Sequence, residues 1–263
     1  MKFVILTLVG AAAAAASAHA SVVAYLPLDT NGNEVINAIA PNVANNVTFG
    51  VAGATPHTGT AAQFNGTNSV ISFGSVGAAE PALNPADSWT LMVWANSLNS
   101  PSWGSIITSR DDVPPGGVQR HGYILYEANS SNEYQYWGGT GAANWGAMGS
   151  GNTTQNEWQH FTLTYDAGTN LRQFFIDGNL VNSSNLAFSE NTLEGTHIGA
   201  GGDLGDTFWF NGYIDDLAIH DAVLTPAQIQ AAMTFGNTIV PEPSRALLLL
   251  LGGIALAARR RRG

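Results

Sequence analysis

The residues best suited to binding chemistry are aromatic side chains that stand among amides and glycines in the middle of the chain. Trp103 lies in one such setting, and the stretch 134–152 contains Tyr136, Trp137 and Trp145. Aromatic rings bind the apolar C–H faces of sugars, and neighbouring amides bond to the hydroxyls. We therefore predict an exposed ligand-binding surface that includes these four rings. The alternative is that the rings only cover an edge of the fold.

A second group of candidates is oxygen-rich and lies near the N-terminus. Asp29, Asn31 and Asn33 alternate along the chain, and Gly32 between them permits a tight turn. Calcium takes six to eight oxygen ligands, often from such loops. The twelfth position of the loop is Ala40 rather than glutamate, so the pattern is not an EF-hand. A structural calcium site and an ordinary Asx-turn both remain open.

The acidic and histidine residues do not form a catalytic pattern. Glycoside hydrolysis requires two carboxylates on one face, about 5–5.5 Å apart for retention. Asp215 and Asp216 are adjacent in the sequence, so in a strand they point to opposite faces. His160 has no partner pattern, and neither a Gly-x-Ser-x-Gly motif nor zinc spacing occurs. We predict a protein that is not an enzyme, with a glycosidase as the less favoured alternative.

The charge balance excludes one class of partner. Between residues 21 and 240 there are three arginines (Arg110, Arg120 and Arg172), no lysine and eighteen acids, a formal charge of −15. Such a charge repels nucleic acid and anionic lipid and attracts cations. The chain has no cysteine, so disulfides and thiolate metal sites are excluded.

Both termini carry the patterns of processing segments. Lys2, the apolar run Phe3–Gly10 and the closing Ala18-His19-Ala20 are typical of a secretory signal peptide over 1–20. At the other end, Ala246–Ala258 is apolar but only thirteen residues long, about 20 Å as a helix against a hydrocarbon core of about 30 Å. The residues that flank this run are Pro241, Glu242 and Pro243 before it, and Arg259, Arg260, Arg261 and Arg262 after it.

This order closely resembles the PEP-CTERM sorting signal of Gram-negative bacteria. The resemblance covers residues 240–263 and implies a transient inner-membrane anchor that an exosortase-type protease cuts near Pro-Glu-Pro. A permanent C-terminal anchor is the alternative. The arginines would hold the end of the chain on the cytoplasmic side.

Short alternating or aromatic-rich runs separated by Gly, Asn and Pro predict a β-sandwich. Asn65-Gly66 and Asp177-Gly178 predict hairpin turns, and Thr225-Pro226 predicts the start of a helix over Ala227–Met233. The predicted strands are Ser21–Leu28, Ala61–Phe64, Ser69–Phe73, Trp89–Ala95, Ser105–Ser109, Gly122–Glu127, Glu133–Trp137, Trp158–Tyr165, Arg172–Ile176, His197–Gly199 and Phe208–His220.

Five motifs in order across residues 61–229 resemble laminin-G-like and pentraxin-like domains. They begin at Ala61, Trp89, Trp158, Phe175 and Asn211. The resemblance implies an all-β, concanavalin A-like jelly roll of two antiparallel sheets with one short C-terminal helix, followed by a terminal hydrophobic helix in the tail. It also implies a structural calcium between the N-terminal strand and an acid near the last strand, here Asp215 or Asp216.

These observations predict a signal peptide (1–20), a sandwich domain (21–236) and a sorting tail (237–263). The expected function is that of an exported, non-catalytic protein at the cell surface or in the extracellular matrix. Its partner would be an extracellular polysaccharide or a surface protein. A purely structural or adhesive protein without a small ligand is the alternative.

Overall fold

The computed structural model describes residues 20–98, 103–111, 119–128, 133–150, 154–201 and 208–238. Ala20–Pro241 forms one compact unit. Apart from Ala20, Asn237 and Thr238, the predicted signal peptide and sorting tail lie outside the described residues, as does the predicted terminal helix. Within those residues, no helix is both long and apolar enough to cross a membrane.

The first layer is an eight-stranded antiparallel sheet in the order β13-β12-β11-β6-β15-β4-β3, with β1 also paired to β15. Its strands are β1 Val22–Leu26, β3 Thr48–Ala52, β4 Thr60–Asn65, β6 Trp89–Ser97, β11 Gln159–Asp166, β12 Leu171–Ile176, β13 Asn179–Asn185 and β15 Asn211–His220. The central strands β6 and β11 are nearly continuous runs of buried residues, because both of their faces are covered.

The second layer is a seven-stranded antiparallel sheet in the order β10-β9-β8-β7-β14-β5-β2. Its strands are β2 Val43–Asn45, β5 Val70–Phe73, β7 Gly104–Asp111, β8 His121–Ala128, β9 Glu133–Gly139, β10 Trp145–Gly149 and β14 Thr196–Ile198. Side chains from both sheets, among them Trp89, Phe161, Tyr123 and Tyr136, form the hydrophobic core between the layers. The predicted all-β sandwich of two antiparallel sheets is confirmed.

The two predicted hairpins have different outcomes. Asp177 and Gly178 both adopt positive φ and join β12 to β13, with Ile176 opposite Asn179, as a two-residue hairpin requires. The Asn65-Gly66 prediction is wrong, because β4 pairs in the eight-stranded sheet and β5 in the other. This turn carries the chain from one layer to the other.

The helix α1, Pro226–Phe235, packs on the outer face of the eight-stranded sheet. Thr225 and Gln228 form a capping box, and Pro226 occupies the first turn. Ile229 and Ala232 of the helix pack with Met92 and Phe175 of the sheet in a second hydrophobic cluster. The predicted helix is confirmed and is two residues longer than expected at its C-terminus.

Candidate ligand-binding surface

The candidate surface is the outer face of the seven-stranded sheet, where β7, β8, β9 and β10 are consecutive neighbours. Tyr134 and Tyr136 of β9 lie in the core between the sheets. Because side chains alternate along a strand, Gln135 and Trp137 face outward. The register places Gln135 beside Tyr126 of β8, which brings that ring to the same outer face.

The prediction that Tyr136 contacts a ligand is wrong. Its side chain is fully buried, and its ring lies 6.2 Å from that of Trp89 in an edge-to-face contact. Burial raises the pKa of its hydroxyl above the ordinary range. Tyr136 is a core residue because it shares the inward parity of Tyr134.

The other three predicted aromatic residues come together. The ring centroid of Trp137 lies 5.8 Å from that of Trp103 and 6.4 Å from that of Trp145, and all three side chains are half-buried. Tyr126 joins them, with its ring 5.4 Å from Trp103 and 5.9 Å from Trp137. We call Trp103, Tyr126, Trp137 and Trp145 the aromatic cluster.

Trp145 reaches the cluster from a strand that the sequence reading did not predict. It was expected in an exposed loop, but it opens β10, opposite Gly139 of β9. The β9–β10 hairpin therefore holds its ring beside Trp137. Trp103 immediately precedes β7, the neighbour of β8, so all four rings sit on or next to consecutive strands.

Hydrogen bonds fix the orientation of the central ring. Trp137 Nε1 donates to Gln135 Oε1 at 2.8 Å, and the amide nitrogen of Gln135 donates to Glu133 Oε1. The three side chains follow one another at alternate positions of β9. They present a ring face, an amide and a carboxylate along one line, the combination that stacks on a sugar ring and bonds to its hydroxyls.

Two residues of this surface were missed by sequence reasoning. Tyr126 is nearly fully buried, yet its ring lies between Trp103 and Trp137. Arg110 donates from Nη1 to the Tyr126 hydroxyl at 3.2 Å, and its guanidinium carbon lies 5.8 Å from the Trp145 ring centroid. The alternation of β8, in which Tyr123 and Leu125 face the core, could have indicated the outward position of Tyr126.

The same outer face carries a serine–histidine pair, which lies on β5 and β14, beyond β7 from the aromatic cluster. Ser72 Oγ of β5 lies 2.8 Å from His197 Nδ1 of β14, and burial lowers the pKa of His197. Nucleophilic hydrolysis adds an acid on the second imidazole nitrogen. In the described part of the chain, no carboxylate is bonded to His197 Nε2.

A group of carboxylates lies where β15 changes partners. β15 pairs with β4 through residue 214 and with β1 from residue 217, and a bulge between these halves contains Asp215 and Asp216. Asp216 has a φ of 52°. A bulge re-aims side chains, so these two acids do not follow the simple alternation expected of them.

Of these acids, Asp215 has the unusual environment. Its side chain is fully buried, Oδ2 accepts from the Ala54 amide at 2.9 Å, and no described group bonds to Oδ1. Burial raises the pKa of Asp215 to about 7, and the negative charges of Asp216 and Asp29 add to the rise. The carboxylate would gain from a nearby cation.

Two glycines hold a narrow space beside these carboxylates. A Cβ on Gly59 would lie 2.3 Å from Asp29 Oδ1, and one on Gly53 would lie 2.9 Å from Asp215 Oδ2. Asp29 Oδ1 also accepts from the Thr60 amide at 2.5 Å. Asp29 and Asp215 thus approach the same glycine-bearing loop with oxygen ligands, the type of donor that calcium prefers.

The remaining predicted metal ligands have other roles. Asn31 and Asn33 are exposed, and Asn31 Oδ1 accepts from the Asn33 amide at 2.9 Å, an Asx-turn. Asp216 accepts from the Tyr25 hydroxyl and, at 3.1 Å, from the Asn237 amide. Among the described residues no group of three His, Cys, Asp or Glu side chains is placed to hold a metal. The five-residue calcium site stays a prediction, and Asp29 and Asp215 are the two of its residues that approach the same glycine-bearing loop.

The predicted sorting residues fall outside the described residues. They are Pro241, Glu242, Pro243, Arg259, Arg260, Arg261 and Arg262.

Comparison with solved structures shows the fold. The binding domain of Paraclostridial Mosquitocidal Protein 1 aligns with a TM-score of 0.61 at 15% identity, covering 82% of this chain and 52% of that one. The botulinum neurotoxin serotype D binding domain aligns with a TM-score of 0.57 at 15% identity, covering 81% and 51%. The chain thus spans about half the length of these toxin domains.

A third structure matches along almost its whole length. Domain 4 of AbnA, an extracellular arabinanase from Geobacillus stearothermophilus in complex with arabinotriose, aligns with a TM-score of 0.54 at 16% identity, covering 81% of this chain and 98% of that one. A search of curated protein sequences finds no match.

A laminin G family model, described as the concanavalin A-like lectin/glucanases superfamily, matches residues 65–230. This match covers more than half of the chain and includes the strands that carry the aromatic cluster. The chain belongs to the concanavalin A-like lectin/glucanase superfamily.

Proposed function

We propose that this protein is a non-catalytic polysaccharide-binding protein whose ligand docks on the aromatic cluster. The observation that supports this most is the convergence of Trp103, Trp137 and Trp145, half-buried and adjacent, on the outer face of one sheet. Beside the ring of Trp137, the side chains of Glu133 and Gln135 on β9 supply acceptors and donors for hydroxyl groups.

The solved structures of the same fold support a binding role. Two of them are binding domains of toxins, and the third is a domain crystallised with arabinotriose. Glycosidases also share the fold, and a retaining or inverting mechanism would use two carboxylates on one face. On the described part of the outer face, the carboxylate of Glu133 accepts a hydrogen bond from Gln135 beside the aromatic cluster.

The proposal includes export and sorting. The signal-peptide pattern over 1–20 and the resemblance of residues 240–263 to a PEP-CTERM tail support delivery across the inner membrane of a Gram-negative bacterium. An exosortase-type protease would process the tail, leaving the domain at the cell surface or in the matrix. The scarcity of lysine and arginine between residues 21 and 240 fits polysaccharide better than nucleic acid as the partner.

Calcium is proposed in a structural role only. Asp29 and Asp215 would hold it with backbone carbonyls of the loop that contains Gly53 and Gly59. The ion would neutralise buried carboxylate charge where β15 changes partners. The aromatic cluster is on the other sheet, so ligand binding would not require calcium contact.

The direct experiment measures retention of the full chain on bacterial and plant polysaccharides, with calcium and with chelator. We expect retention on at least one polymer, and Trp137→Ala should weaken it about ten-fold, since loss of one stacked ring costs about 1–2 kcal/mol. Trp158→Ala is the matched control, because Trp158 is also half-buried but pairs with Tyr213 of the eight-stranded sheet.

A surface protein is the second candidate partner. Among the described strands, β13 at the edge of the eight-stranded sheet pairs with β12 alone, and Leu180 and Val181 on it are 51% and 37% exposed. An open edge strand can receive a strand from a partner. This structural or adhesive function would be favoured if the folded wild type were retained on no polysaccharide and did not differ in this from Trp137→Ala.

A further inference from the structure

One residue of the short segment after α1 is buried as deeply as the core, and it lies between the half-buried Gly236 and the exposed Thr238. Asn237 stands two residues after the end of the helix, and its side chain has no exposure to solvent. The Pro-Glu-Pro motif begins four residues further along the chain. Whatever holds Asn237 therefore holds the last described residues of the chain against the domain.

Four polar groups of Asn237 form hydrogen bonds with three residues of the eight-stranded sheet. The backbone amide donates to Asp216 Oδ2 at 3.1 Å, and the side-chain amide donates to the Asp216 carbonyl oxygen. The side-chain oxygen lies 2.9 Å from His160 Nε2, and the backbone oxygen lies 2.8 Å from His220 Nε2. We call these four residues the C-terminal latch.

The hydrogen bonds of the latch require a proton on Nε2 of each histidine, and when the rings are neutral this fixes the tautomer. Asn237 uses its amide nitrogen as donor to Asp216, so its side-chain oxygen is an acceptor and His160 Nε2 must carry a proton. His220 Nε2 must also be protonated, because it donates to a carbonyl oxygen. His220 Nδ1 is then unprotonated, buried and without a described hydrogen-bond partner.

A second proton on either ring places a charge inside the sheet–helix interface. Burial lowers the pKa of His160 to about 4 and also lowers the pKa of His220. The acids that could offset this charge are few. Asp177 accepts from the His160 backbone amide, Asp221 partly raises the pKa of His220, and Asp216 already accepts from Tyr25 and Asn237.

Burial raises the pKa of Asp216 in the latch, and the negative charge of Asp29, another described residue, adds to the rise. The helix sequence Pro226–Phe235 contains no ionisable side chain, and β6 contributes the ring of Trp94, 4.9 Å from that of His160. Asp215, the adjacent acid on β15, bonds to the Ala54 amide instead.

We propose that Asn237, His160, His220 and Asp216 form an acid-sensitive latch that fastens the segment Gly236–Thr238 to the eight-stranded sheet and opens when the histidines are protonated. The direction follows from linkage. A histidine whose pKa is lowered in the closed state stabilises that state above about pH 6.5, and the stabilisation is lost as the pH falls towards about 4.

Hydrogen exchange of the full chain, read by mass spectrometry on peptides that contain Gly236–Thr238, tests the latch. After correction for intrinsic exchange, we expect the protection of this segment to fall about ten-fold or more between about pH 6.5 and about pH 4, ahead of that of β6. The matched variant is His160→Gln/His220→Gln, whose amide groups can donate the same two bonds but do not titrate.

In the glutamine variant the protection of the segment should be independent of pH over the same range. Asp216 is retained there, so any contribution from its own titration remains visible. Equal opening of the wild type and the glutamine variant in acid would overturn the proposal, as would unchanged protection in the wild type. Asn237→Ala should expose the segment at every pH, and full protection in a folded Asn237→Ala chain would also overturn it.

Discussion

At the residue scale, the aromatic cluster depends on how its central ring is held. The indole of Trp137 is half-buried and takes its direction from the hydrogen bond to Gln135. A ring that is fixed before binding loses less conformational freedom on stacking than one that rotates. In the proposed binding mode, Gln135 would therefore act as a positioning residue as well as a direct contact for hydroxyls.

Replacing Gln135 by leucine should weaken polysaccharide binding by several-fold without changing the melting temperature. The ring remains but loses the partner of its Nε1 group, so stacking is less well oriented. Affinity electrophoresis in a polysaccharide gel measures the change. Gln173→Leu, on a strand of the other sheet, is the control, and equal weakening by both variants would contradict the positioning role.

A second residue-scale prediction concerns Asp215. Because its folded-state pKa is raised to about 7, it favours the folded state below its unfolded pKa of about 4, and this contribution is lost as the pH rises towards 7. In chelator at about pH 8, Asp215→Asn should therefore raise the melting temperature by a few degrees.

With calcium present, the melting temperature of the wild type should instead be higher than that of Asp215→Asn. The wild type should gain stability on addition of the ion, whereas Asp215→Asn should gain little. Differential scanning calorimetry with calcium and with chelator distinguishes the cases. An identical calcium response of the two proteins would exclude Asp215 as a ligand.

Sequence reasoning at this scale identified three rings that the structure brings together and misplaced a fourth, because strand parity decided its position. Polar residues and glycines surround Trp103, Trp137 and Trp145 in the sequence, and a ring that points into the core does not require such neighbours. Tyr136 stands in similar surroundings, and only its pairing with Tyr134 on the core face separates it from Trp137. For Asp215, adjacency to Asp216 gave no sign of the bulge, which depends on the partners of β15.

At the element scale, the strands that the sequence did not reveal are the edge strands of the two sheets. β2, β3, β10 and β13 lie at or near sheet edges and carry mixed burial patterns, so their apolar periodicity is weak. The Asn65-Gly66 turn has the composition of a hairpin, but Asn65 Oδ1 caps the amides of Thr67 and Asn68 as the chain crosses between the layers. Turn composition identifies a reversal without specifying which strands pair.

The helix start gives a prediction at this scale. Thr225→Ala removes the capping box with Gln228 and should cost about 1 kcal/mol, a fall in melting temperature of roughly 2–4 °C. Thr234→Ala is the control, since Thr234 is an exposed helical threonine that bonds to a carbonyl within the helix. Thermal unfolding followed by circular dichroism measures both, and an equal loss in the two variants would contradict the capping role.

At the scale of the whole molecule, the acidic charge and the few arginines set the kind of ligand that the surface can accept. Arg172 is fully buried and donates to the carbonyl oxygens of Gly138 and Gly139, so it holds β9 to β12 rather than contacting a ligand. Arg110 is engaged with Tyr126 and Trp145. Stacking and neutral hydrogen bonds, rather than charge pairing, are left to supply the affinity.

Binding to a neutral polysaccharide should therefore change less than about two-fold between about 50 mM and about 500 mM salt. Ion pairs between the chain and an anionic polymer would instead weaken steeply with added salt. Retention measured across a salt series checks this. A steep loss with salt would contradict a stacking-dominated surface.

The central claim is that a polysaccharide docks on the aromatic cluster. The most direct measurement follows the indole N–H resonances of the full chain by nuclear magnetic resonance while a soluble fragment of a retained polymer is added. The account predicts shifts for Trp103, Trp137 and Trp145, with Trp89, Trp94 and Trp158 unchanged. Shifts confined to Trp94 and Trp158, or saturable binding that leaves the three cluster indoles unmoved, would contradict it.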